Sequence, residues 1–124
     1  SDILDMQRKK TGKLFNFCCF AVGVIAKKNI KELESLSKLG EDIGLLFQFA
    51  DDFIDIKGLK KIAGKSIKKD QIKGKSTLVA LIGYEKAYAY ATKLKKNILS
   101  KLSKHGKKAD NLINTVEFIL ERNF

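Results

Sequence analysis

An all-α helical bundle is the fold this sequence predicts, and three observations carry the prediction. No proline occurs in 124 residues, so no pyrrolidine ring forces a helix to stop. The apolar positions recur with helical rather than alternating spacing, and hydrophobic residues make up 44% of the chain. Long stretches contain no turn-forming residues. At this length the chain is one domain or part of one, residues 1–124.

Four helical segments are expected in order. The first covers about Ile3 to Ala26 and is almost wholly apolar after Leu14. Its run "LFNFCCFAVGVIA" is too short to span a bilayer, so it reads as a buried core helix with no membrane span. The second opens at Asn29, where Asn29 and Glu32 stand in capping-box spacing, and continues to about Ile56 with Gly40 and Gly44 as weak points. Ile43, Leu46, Phe47, Ala50 and Ile54 form one stripe on it, with Leu45, Phe49 and Ile56 off that stripe. A helix apolar nearly all round needs more neighbours than three others supply. The third runs from near Thr77 to about Leu102, and "KHGKK" then makes a turn. The fourth covers Ala109 to Arg122, with Ala109, Leu112, Ile113, Val116, Ile119 and Leu120 on one apolar face.

Charge bounds the partners. Lys+Arg outnumber Asp+Glu by 25 to 14, a formal charge of +11, which points to an anionic partner. Eight lysines and one acid, Asp70, fall in "KGLKKIAGKSIKKDQIKGKST", Lys57 to Thr77, which its glycines mark as a loop. Cys18 and Cys19 are adjacent inside an apolar run and read as two buried thiols, suited to a reducing cytoplasm. The chain opens in helical sequence without an initiator Met and is expected to be a piece of something longer.

The second helix holds the chemistry. "GLLFQFADDFID" places Asp51, Asp52 and Asp55 in apolar surroundings, where carboxylates need a cationic partner. Asp51 and Asp55 point the same way one turn apart, with Gln48 a turn earlier and Asp52 offset by about 100°. Two carboxylates at that spacing can share a hydrated Mg²⁺, which takes one or two carboxylates plus waters and substrate phosphates. The adjacent lysine loop then supplies phosphate contacts. The plainer alternative is that the three acids cap the solvent end of a core helix and pair with Lys57 or Lys60.

Taken together, "GLLFQFADDFID", "GKS" at Gly64–Ser66, "KDQIKGKST" at Lys69–Thr77, "KKTGKL" at Lys9–Leu14 and the ending "ILERNF" resemble the second half of trans-isoprenyl diphosphate synthases, especially the bacterial farnesyl diphosphate synthases. That resemblance implies the isoprenoid synthase bundle, here only its C-terminal half. It implies a prenyltransferase that joins an allylic diphosphate (dimethylallyl or geranyl) head-to-tail to isopentenyl diphosphate, giving farnesyl diphosphate. The expected course is Mg²⁺-assisted ionisation, condensation and proton loss. Asp51, Asp52 and Asp55 match the second Asp-rich motif, with Asp51 and Asp55 the foremost metal contacts. Lys10, Lys65 and Lys75 match lysines that hold the allylic diphosphate, and Thr11 and Gln48 match residues whose oxygens lie near the developing carbocation. Arg122 falls where basic C-terminal residues reach isopentenyl diphosphate.

The resemblance also implies a cytoplasmic homodimer when full length. The first Asp-rich motif and the arginines after it are absent, so this chain is expected to hold half of the metal site and to be inactive alone. Val79 replaces a Pro found in many relatives, a change expected to affect stability more than chemistry. Two further readings stand beside the enzyme. One is a non-catalytic subunit of the same fold. The other is a basic nucleic-acid-binding module, disfavoured because the lysine loop contains no aromatic residue for base stacking. Phe47, Phe49 and Phe53 are expected to pack as core, and His105 to lie at the surface.

Overall fold

The computed structural model describes residues 2–63 and 78–122, and every regular element among them is helical. Helix α1 (Asp2–Gln7) passes through a π-helical turn (Arg8–Gly12) into α2 (Lys13–Ile25). A tight reversal leads to α3 (Ile30–Ala63). Helix α4 (Leu78–Ile82), α5 (Tyr84–Ser103), a 3-10 turn (Gly106–Ala109) and α6 (Asp110–Glu121) follow. No described helix is long and apolar enough to cross a membrane.

Local chemistry sets the boundaries. At the end of α2 the Lys28 N–H donates to Gly23 O and the Lys27 N–H to Val24 O, each at 3.0 Å. This is a Schellman closure, and its left-handed position (φ 56°) is filled by Lys27 instead of the usual glycine. Asn29 Oδ1 then accepts from the Glu32 N–H at 2.9 Å while Glu32 Oε2 accepts from the Asn29 N–H at 3.2 Å. The predicted capping box is therefore formed, and it starts α3.

Helix α3 is the axis of the fold. α2 lies along it, and α5 and α6 pack together against it. Leu45, Leu46 and Phe49 are fully buried in its middle, joined by Ile43, Ala50, Phe53 and Ile56. Ala87, Ala91, Ile98 and Leu102 of α5 and Val116 and Ile119 of α6 complete the core. Each fully buried Val, Leu, Ile or Phe among them contributes about 1.5–3 kcal/mol.

The structure corrects the sequence reading in several places. The middle of α3 is buried by the described helices, so an additional partner is not needed there. The face that lacks cover belongs to α2: Leu14, Phe17, Val22 and Ile25 are 63–81% exposed, so this is not a buried core helix. Cys18 is likewise exposed, and only Cys19 is half-buried. One apolar side of α2 meets α3, and no described element reaches the other.

Helix α3 runs past Ile56 to Ala63, so the first part of the expected loop is helical, because the Leu, Lys and Ala there favour helix and one glycine is a tolerable cost. The third predicted helix is two helices, broken at Gly83, whose φ of 90° only glycine adopts without strain. Val79 lies buried in the first turn of the short helix α4.

Gly40 and Gly44 do not weaken α3. A Cβ at Gly40 would lie 2.5 Å from Phe15 O and 2.9 Å from Asn16 Cα, and one at Gly44 would lie 2.8 Å from Gly12 Cα. They are the positions at which the α2 backbone, including the π turn, comes against α3. Polar contacts that the sequence reading missed pin this approach. Asn16 Nδ2 donates to Glu41 Oε1 at 2.9 Å, Lys13 Nζ reaches the same oxygen at 3.5 Å, and Ser37 Oγ donates to Asn16 Oδ1 at 3.4 Å.

Candidate active site

The polar edge of α3 is assembled from three separate stretches of chain. The π turn at Arg8–Gly12 carries the Lys-Thr motif, and a π turn re-aims side chains relative to an α-helix. Thr11 Oγ1 donates to Gln48 Oε1 at 2.8 Å, across a separation of 37 residues. Gln48 Nε2 in turn approaches Asp52 Oδ1 at 3.5 Å, one helical turn further on.

The donors in this chain all run toward the Asp52 carboxylate. Thr11 spends its only proton on Gln48, so the lone pairs on its oxygen stay available to a cationic group. The negative end at buried Asp52 polarises the relay in the same sense. Gln48, on the helix face of Asp51 and Asp55, is hydrogen-bonded to Thr11 and Asp52.

Asp51 has a different partner. Arg122, the residue that ends α6, donates from its guanidinium to Asp51 Oδ1 across 71 residues. The Arg122 guanidinium carbon lies 4.3 Å from the centre of the Phe47 ring, a cation–π distance. The Asp51 side chain nevertheless keeps 42% of its surface open to solvent. Asp55, a turn later, is exposed.

Two carboxylates a turn apart with open edges fit a hydrated Mg²⁺ completed by water and phosphate oxygens. Among the described residues no three His, Cys, Asp or Glu side chains converge on one point. Lys65 and Lys75 lie outside the described residues, as does the side chain of Lys10.

The aromatic residues around this edge divide by role. Phe49 and Phe53 are core, as expected, and stack 6.1 Å apart. Tyr84 and Tyr88 pack on Phe53 at 5.1 and 5.5 Å, and Tyr90 on Phe49 at 5.5 Å. Tyr88 and Tyr90 remain partly open, at 43% and 39% exposure. Phe47 stands apart, between Phe15 at 5.7 Å and Arg122. His105 is exposed in its turn, as expected. Burial pushes the Cys19 thiol above its usual range, and neighbouring Cys18 adds to the effect.

Fold and site thus define a class: an all-α protein whose central helix carries a carboxylate-rich edge, met by a threonine from a π turn and an arginine from the last helix. The chain belongs to the polyprenyl synthetase family, whose model matches residues 1–116. It is 32% identical over 114 residues to a farnesyl diphosphate synthase of Micrococcus luteus, covering 92% of this chain and 39% of that protein. It is 35% identical over 115 residues to geranylgeranyl pyrophosphate synthase 4 of Arabidopsis thaliana, covering 92% of this chain and 31% of the relative. To a short chain isoprenyl diphosphate synthase of Methanocaldococcus jannaschii it is 39% identical over 80 residues, 64% of this chain and 24% of that protein. The chain therefore spans well under half the length of these relatives. No solved structure matches it.

Proposed function

We propose that this chain is the part of a trans-prenyltransferase that holds the allylic diphosphate, in a protein that condenses an allylic diphosphate with isopentenyl diphosphate to give farnesyl diphosphate. The observation that carries the reading is the Thr11–Gln48–Asp52 relay beside Asp51. Residues remote in sequence meet at one edge of an otherwise apolar helix, and the family supplies a chemistry in which each has a use.

Asp51 and Asp55 would hold Mg²⁺ through carboxylate oxygens, and Asp52 would serve the same edge from its buried position. When bound, Mg²⁺ neutralises the diphosphate so that it can depart. Lys10, Lys65 and Lys75 grip the diphosphate oxygens and stabilise the charge that builds there as the carbon–oxygen bond breaks. Thr11 and Gln48 aim oxygen lone pairs at the allylic carbon that becomes cationic, while the apolar surroundings keep water away. Arg122 stands by the second diphosphate. Attack by the isopentenyl double bond forms the new carbon–carbon bond, and loss of a proton restores a neutral alkene. In the full-length protein the exposed apolar side of α2 is covered, and the protein works as a cytoplasmic homodimer.

The test is prenyl transfer by the natural full-length polypeptide with isopentenyl diphosphate, dimethylallyl or geranyl diphosphate and Mg²⁺, with Asp51→Ala in parallel. A fifteen-carbon product that falls at least about 100-fold in the variant supports the proposal. A product of another length corrects the specificity alone. No product with either allylic partner, or an Asp51→Ala variant as active as the parent, overturns the assignment and favours a non-catalytic subunit.

A further inference from the structure

Arg122 is poorly placed for a purely structural arginine. Its side chain is only 12% exposed and stacks on Phe47, yet its buried Nε–H has no hydrogen-bond partner among the described residues. A guanidinium built in as an anchor satisfies its fork on both sides. This one uses a terminal nitrogen on Asp51, and among the described residues nothing pairs with Nε. The carboxylate it engages is itself 42% open to solvent, so a competing cation can reach it. The backbone is extended at Arg122 (φ −65°, ψ 147°), where α6 ends.

We propose that Arg122 is an internal counter-ion for Asp51, held on the carboxylate when no divalent cation is there and exchanged for that cation when it binds. The end of α6 thereby reports whether Asp51 is occupied. The proposal rests on the reading of Asp51 as a metal ligand. Its physical basis is competition for one carboxylate by two cations. The guanidinium carries a single charge and sits on an aromatic face, whereas a divalent ion carries twice the charge and could be shared by Asp51 and Asp55. If the arginine holds Asp51 in about nine molecules of ten, it weakens apparent metal affinity about tenfold. The released guanidinium is then free to meet an anion beside Phe47.

The test is Mn²⁺ binding, with no diphosphate present, to the natural full-length polypeptide, followed by electron paramagnetic resonance of the free ion. Wild type, Arg122→Gln, Asp51→Asn and the double variant are compared, with circular dichroism to confirm equal helicity. The expected result is binding about three- to tenfold tighter in Arg122→Gln, and a gain that vanishes when Asp51→Asn is also present. As a readout that does not depend on any Arg122 variant folding, the ¹⁵N-labelled Arg122 side-chain resonance shifts on Mg²⁺ addition in wild type and stays put in Asp51→Asn. Loss of Mn²⁺ sites in Asp51→Asn together with unchanged or weaker binding in Arg122→Gln overturns the counter-ion alone. Undiminished binding in Asp51→Asn overturns the metal reading of Asp51, and the counter-ion with it.

Discussion

Replacing Gly40 by alanine tests the close approach of α2 to α3, because the same substitution elsewhere in α3 should have the opposite sign. A Cβ on Gly40 lies 2.5 Å from Phe15 O and 2.9 Å from both Phe15 C and Asn16 Cα. All three are backbone atoms that no side-chain rotation can move. Packed heavy atoms sit about 3.5–4.0 Å apart, so α2 must retreat by about 1 Å. Overpacking of this kind costs about 1–3 kcal/mol. Retreat also stretches the 2.9 Å bond from Asn16 to Glu41, and a hydrogen bond to a charged group contributes about 1.5–3 kcal/mol.

Against these stands a gain of about 1 kcal/mol from alanine's better helix propensity. The net expectation is a loss of about 2–4 kcal/mol. At Gly58 an added Cβ meets nothing within 4 Å, so Gly58→Ala should stabilise by about 0.5–1 kcal/mol. The assay is urea unfolding followed by circular dichroism: the midpoint falls for Gly40→Ala, rises for Gly58→Ala, and the slope stays constant in both. Equal stabilisation by the two alanines would refute the backbone contact.

Two further predictions concern the turn between α2 and α3. Asn29→Ala removes the cap that accepts from the Glu32 N–H at 2.9 Å, and should cost about 1 kcal/mol in the same unfolding assay; a change below the assay's error would mean the cap is not formed in solution. Lys27→Gly relieves a non-glycine residue at φ 56° and should stabilise by up to about 1 kcal/mol, the left-handed penalty less the extra freedom glycine has when unfolded. Destabilisation there would show that the Lys27 side chain makes a contact worth more than its backbone strain.

Features that depend on neighbours along the chain were legible without the fold. Helical periodicity gave the all-α class, the Asn29–Glu32 pair gave the start of α3, and the apolar face of α6 is buried at Val116 and Ile119, with Ala109 buried in the turn before it and Leu112 more open than expected. The motif residues Thr11, Gln48, Asp51 and Asp52 were also legible, because each lies in a recognisable local pattern. Tertiary structure decided what depends on distance across the fold. Sequence could not show that Arg122 reaches back 71 residues to Asp51, nor that Gln48 turns to Thr11 and Asp52.

The sequence was equally silent on which apolar helix would be covered. Leu14, Phe17 and Ile25 look as greasy as Leu45 and Phe49, and only the packing of α5 and α6 against α3 leaves the first group exposed and the second buried. Hydrophobicity states that a surface should be hidden, but the arrangement of the other elements decides whether it is. The same reasoning applies to Gly40 and Gly44, where a missing side chain in the sequence became a contact between helix backbones only once α2 was laid against α3.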